Sequence, residues 1–118
     1  MSIIWLGHAD EAPMLGELEQ VTLLATLRLS GDGYGVTIQD AIRKATGRDL
    51  TIGTIHKTLM RLEAKGYVVS RIGEASPHRG GRAKRHFEVT PAGLKMLRAS
   101  LQALRRMAAG LQVGLERA

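Results

Sequence analysis

The 118-residue chain contains no cysteine, which excludes disulfides and thiolate metal sites and fits a reducing compartment. Aromatic side chains are almost absent: Trp5, Tyr34, Tyr67 and Phe87 are all of them, so a core must be built from Leu, Ile, Val and Met. No apolar run approaches the ~20 residues of a membrane-spanning helix. The opening MSIIWLGHADE has no basic n-region and too short an apolar stretch for a signal peptide, so a soluble cytoplasmic domain is expected. The catalytic patterns G-x-S-x-G, H-E-x-x-H and the P-loop are missing, and the glycines of PHRGGRAK lack phosphate-loop spacing. His8, Asp10 and Glu11 are adjacent residues that read as surface, and His78 and His86 are too loosely placed for zinc. No enzyme activity, cofactor or metal is expected.

What the chain does have is positive charge, unevenly distributed. The net charge is +6, yet residues 1–35 carry one base (Arg28) against Asp10, Glu11, Glu17, Glu19 and Asp32. The remainder carries sixteen bases against six acids. A field concentrated in the later two thirds points to a polyanion met by one side of the molecule; the plainer alternative is a basic surface kept for solubility.

At this length one domain can bury a core without staples. Residues 1–14 form a leader. From Leu15 to Leu29, the apolar positions Leu15, Leu18, Val21, Leu23, Leu24, Leu27 and Leu29 cover much of a helix circumference, which predicts burial on more than one side. SGDGYG supplies turn chemistry. A second helix is predicted from about Tyr34 to Thr46, with Ile38, Ala41, Ile42 and Ala45 on one face and Gly47 at its C-cap. Thr51 is a natural N-cap for a third helix ending at Gly66. On that helix Ile52, Ile55, Leu59 and Leu62 form the expected core stripe. Gly53, Thr54, Lys57 and Arg61 cluster opposite, with His56 on the flank. This polar face carries no acid and mixes short hydrogen-bonding groups with long cations, as reading base edges requires; a merely solvated face is the alternative.

YVVSRI and RHFEV read as two strands of a hairpin. Their connection from Gly73 to Lys84 is long, holding Pro77, three glycines, and Arg79, Arg82 and Lys84, with Arg85 and His78 beside them. Glycines let a backbone approach phosphate and the cations neutralise it, which a solvated loop does not explain. Thr90-Pro91 then opens a last helix. Its Leu94, Leu97, Leu101, Leu104, Ala108, Leu111 and Leu115 recur in steps of three and four, a heptad seam read as unbroken and longer than a small domain can cover. Some of the seam is free to pack on the first helix; the rest predicts pairing with another copy. The fold class is therefore mainly α with a small β-hairpin, a winged helix-turn-helix over residues 15–90 and a long C-terminal dimerisation helix over 91–118.

Laid out this way, the chain resembles the PadR family of bacterial transcriptional regulators, in its short form with a single C-terminal helix. The carrying stretches are LGELEQVTLLATL, YGVTI, TIGTIHKTLMRLEAKGYV and GGRAKRHFEVTPAG, which together cover nearly everything after the leader. The resemblance implies a homodimer joined through the C-terminal helix, bound to a pseudo-palindromic double-stranded DNA operator and usually repressing nearby genes. By position it implies that Tyr34 touches the DNA backbone and that Thr54, Lys57 and Arg61 face the major groove. Arg79, Arg82 and Lys84 would hold phosphates or reach into the minor groove. His56 stands where the family often has tyrosine; it is left with a phosphate contact or a place at the core edge. Some relatives bind flat hydrophobic compounds at the dimer interface. Here Met96, Met107 and Trp5 are the residues that would line such an effector pocket. Two other classes stay open on the residues alone: a winged domain that binds RNA, and a protein-interaction adaptor.

Overall fold

Threonine and glycine punctuate the chain, and in the computed structural model most of its helices begin or end on them. The structure describes residues 15–73 and 84–117. Helices α1 (Glu17–Leu29), α2 (Gly35–Thr46) and α3 (Ile52–Ala64) precede strands β1 (Val68–Ile72) and β2 (Arg85–Val89). Helix α4 (Pro91–Ala108) and a six-residue α5 (Gln112–Arg117) follow. The Thr51 hydroxyl accepts the Thr54 N–H at 3.1 Å, and the Thr90 hydroxyl accepts the Gly93 N–H at 3.0 Å, so both predicted N-caps satisfy a first-turn donor. Gly47 ends α2 in the left-handed region, at φ +77°, where a side chain would be strained. With three helices followed by an antiparallel hairpin, the chain has the winged helix-turn-helix fold.

In the hairpin, Val68 stands opposite Val89 and Ile72 opposite Arg85. Gly33, in the α1–α2 connection, bridges to the same sheet through a Phe87 N–H to Gly33 carbonyl bond of 2.8 Å. That bond ties the wing to the start of α2. Leu23 of α1, Ile38 and Ile42 of α2, and Ile55, Leu59 and Leu62 of α3 meet in a core closed by Val68, Phe87 and Leu97. Aliphatic side chains do nearly all of this packing, as the shortage of aromatics requires.

Three expectations need correction. Ile52 is not part of the α3 core stripe: it is 42% exposed. It occupies the first position of the helix, off the axis of Ile55, Leu59 and Leu62, and the core ends before reaching it. On α1, Leu24 and Leu27 are exposed, whereas Glu19, Gln20, Thr22, Ala25 and Thr26 are buried. Local bonds make that polar burial tolerable: Gln20 Nε2 donates to the Leu15 carbonyl at 2.8 Å and Thr26 Oγ1 to the Thr22 carbonyl at 2.7 Å. Thr22 Oγ1 is the exception, buried without a hydrogen-bond partner. Thr22→Val keeps the shape and removes the orphaned hydroxyl, so it is expected to stabilise the protein by about 1 kcal/mol. Thermal melting checks this as a midpoint raised by about 4–8 °C.

The third correction concerns the C-terminal seam, which does not run on one helix. Helix α4 ends at Ala108; Ala109 is extended, Gly110 has φ +84°, and Leu111 lies in the break before α5. A left-handed glycine lets the chain turn out of the helix, so Leu111 and Leu115 no longer continue the stripe of α4. The stripe itself divides. Leu97 is buried in the protomer's own core, Leu101 and Ala108 are half-buried, and Leu94, Leu104 and Leu111 are exposed. Ser100, also buried, accepts the Leu15 N–H at 2.9 Å and pins α4 to the entry of α1. Met96 packs half-buried against the core and Met107 is exposed. Trp5 lies outside the described residues. Among those described, no helix is long and apolar enough to cross a membrane.

Candidate nucleic-acid interface

Three chain segments far apart in sequence converge at the amino end of α3. Tyr34 caps α2, its N–H given to the Thr37 hydroxyl at 2.9 Å, which in turn donates to the Asp32 carbonyl. Lys84, at the base of the wing, places its ammonium 4.0 Å from the centroid of the Tyr34 ring, a cation–π distance. His86 packs edge-on against the same ring, with centroids 5.3 Å apart. The Gly73 N–H to Lys84 carbonyl bond, 2.7 Å, closes the hairpin just there and fixes where Lys84 leaves the strand. Between these groups and α3 lies a cleft of about 250 Å³, lined by Tyr34, Val36, Ile52, His56, Lys84 and Phe87. Its floor is apolar and its rim cationic.

On α3 itself, Gly53, His56 and Lys57 are exposed. His56 therefore stands at the rim of this cleft and not in the core. Thr54 is half-buried, and its hydroxyl accepts from Thr51 at 3.0 Å, so its first task is to complete the cap. Arg61 is exposed but borders a different cleft, with Glu17, Glu19 and Lys65. Nine residues of helix, ~13 Å, separate it from Ile52. Burial alone would push the Glu19 carboxyl up. The Lys65 ammonium at 2.8 Å, the Gly16 N–H at 3.1 Å, and the charges of Lys65 and Arg61 outweigh that and hold it below the usual carboxylate range. Arg61 thus faces an ionised carboxylate. The structure gathers Tyr34, His56 and Lys84, leaves Lys57 facing outward nearby, and sets Arg61 apart. Arg79 and Arg82 lie outside the described residues.

The cations of α2 and its following turn are engaged: Arg43 and Lys44 with Asp40 at 2.7 and 2.9 Å, Arg48 with Glu17 at 2.9 Å. These pairs are exposed and add little stability. Among the described residues, Lys57, Lys84 and Arg85 have no ion-pair partner, and neither do Arg28, Arg61, Arg71 and the cations of α4; what distinguishes the first three is that they stand together near the start of α3. A surface with unpaired cations around a groove-sized helix end is suited to an extended polyanion. Two residues of the cleft escaped the sequence reading, Ile52 because its spacing matched the core stripe and Val36 because nothing marked it. The only available signal was Ile52's place at the first turn beside the cap.

The sequence profile of the transcriptional regulator PadR-like family matches residues 23–99. No curated protein matches the sequence. Among solved structures, a PadR family transcription regulator from hypervirulent Clostridium difficile is 21% identical with a TM-score of 0.68, the alignment covering 85% of this chain and 99% of that one. A transcriptional regulator from Clostridium thermocellum gives the same identity and score, 21% and 0.68, over 93% of this chain and 96% of its own. The Orc1 protein of Aeropyrum pernix, solved in complex with DNA, shares the fold at a TM-score of 0.58 and 19% identity, over 77% of this chain and 26% of that one.

Proposed function

The chain belongs to the PadR-like family of transcriptional regulators, and from that premise we propose that it binds a specific double-stranded DNA sequence as a homodimer and represses the genes beside it. One observation carries the reading: Tyr34 from α2, His56 from α3 and Lys84 from the wing surround a single cleft at the start of an exposed, acid-free helix face. In this arrangement α3 enters the major groove by its amino end, with Lys57 directed at base edges. The wing and the α2 cap grip phosphates on either side. Arg79 and Arg82, by their charge, are assigned phosphate contacts as well. The similar fold solved on DNA in another protein is consistent with this use.

Dimerisation draws support from where the exposed apolar residues fall. Of the twelve large hydrophobics exposed among the described residues, six (Leu94, Leu104, Met107, Leu111, Val113 and Leu115) follow Thr90. That segment presents more apolar surface than the rest of the chain covers, and a second copy would bury it as it aligns two α3 helices on one duplex. A small hydrophobic effector seated between the subunits, with Met96, Met107 and Trp5 as its candidate contacts, would shift that alignment and release the DNA. Methionine's adaptable thioether suits such a pocket.

Binding measured by fluorescence anisotropy over a salt series tests the proposal. If each half of the dimer neutralises three phosphates, the logarithm of the affinity should fall against that of salt with a slope of about −5. Footprints should show two-fold symmetry, and light scattering should return the mass of two chains. A monomer that ignores duplex DNA at low ionic strength would sink the proposal.

A further inference from the structure

Resting on the DNA-reading function just proposed, we infer that Ile52, with Val36 beside it, reads the 5-methyl group of a thymine in the major groove. Both side chains are exposed, Ile52 at 42% and Val36 at 57%, and both line the cleft whose rim carries His56 and Lys84. Isolated exposed apolar residues are ordinary on protein surfaces. These two differ by position: they stand at the first turns of α3 and α2, between the groups that would hold a phosphate backbone. A duplex gripped by Lys84 and Tyr34 presents its base edges to the start of α3, where recognition helices make their base contacts.

Chemistry then selects the base. In the major groove every base pair presents hydrogen-bonding groups, and of the four bases only thymine adds a methyl group. An isoleucine against the other three would strip water from a polar edge and return no hydrogen bond. The side chain also has little freedom to lose, because β-branching restricts the isoleucine rotamer within a helix. Contact with a methyl therefore costs little side-chain freedom.

The test starts from duplexes that the wild-type protein selects from a random pool. Each thymine is then replaced singly by deoxyuridine, which removes the methyl group and nothing else. At one position in each half-site, the wild-type affinity should fall about fourfold, the effect of one buried methyl. Ile52→Ala should be indifferent to deoxyuridine at that position, bind the selected duplex more weakly, and bind random DNA as the wild type does. The deoxyuridine scan with wild-type protein does not depend on any variant folding. Tolerance of deoxyuridine at every position, or an undiminished penalty in Ile52→Ala, would overturn the thymine assignment and leave the regulator intact. Failure to select any duplex would overturn the regulator reading and this one with it.

Discussion

Gly93→Ala will destabilise the protein by about 3 kcal/mol or more, a large loss for a change of one methyl group. Gly93 lies buried in the first turn of α4, and a Cβ on it would overlap the carbonyl oxygen of Tyr67. It would also stand 2.9 Å from the Tyr67 carbonyl carbon and 3.0 Å from Val89 Cγ1. A side-chain obstacle can rotate aside, but this one is backbone. The same carbonyl accepts the Thr90 N–H at 3.0 Å, and the Thr90 hydroxyl donates to the Gly66 carbonyl at 2.7 Å. Relief of the clash would therefore break the stitching that joins the end of the wing and the start of α4 to the α3–β1 turn. Thermal unfolding should show the midpoint lowered by about 12 °C or more. A variant melting within about 3 °C of wild type would mean that α4 can shift at little cost.

Lys57→Ala is expected to weaken the specific DNA complex by about 1–3 kcal/mol per half-site, roughly 5- to 150-fold, while binding to random duplexes changes far less. Lys57 is exposed on the outward face of α3 with no acidic partner among the described residues, so its charge is fully available to a base edge. Lys84→Ala should behave differently. Its ammonium sits over Tyr34 at the wing base, where phosphate is the natural partner, so specific and random duplexes should lose affinity alike. The salt slope should fall by about one per protomer. Arg61→Ala should cost less than Lys57→Ala, because Arg61 lies beside the ionised Glu19 and at the far end of the helix. Competition binding on a selected duplex and on random DNA measures all three. Equal losses on both DNAs for Lys57→Ala would contradict a base-reading role.

The division between Lys57 and Arg61 shows how far a helical wheel can go. Both lie on the polar side of α3, and spacing alone assigns them the same task. Their surroundings separate them: the amino end of α1 delivers Glu19 to Arg61 and to Lys65 at the carboxyl end of α3, and the wing delivers Lys84 to the neighbourhood of His56. Nothing in the order of residues announces that Glu19, forty-odd positions earlier, will stand there.

Elsewhere the residues were explicit. Thr51, Gly47 and the Thr90-Pro91 pair determined their helix ends by themselves, because capping is settled within one turn, by a hydroxyl accepting a backbone N–H at Thr51 and Thr90 and by a left-handed backbone at Gly47. The alternating runs on either side of the glycine-rich stretch determined the hairpin for the same local reason. Tertiary structure alone decided which apolar residues were consumed by the fold. Periodicity tells which side chains share a face but is silent on how much of that face the rest of the body covers. Thus Leu97 went into the core while Ile52, Leu24, Leu27 and Leu104 stayed outside. Burial depends on what packs from a distance, and that is settled only when the whole chain has folded.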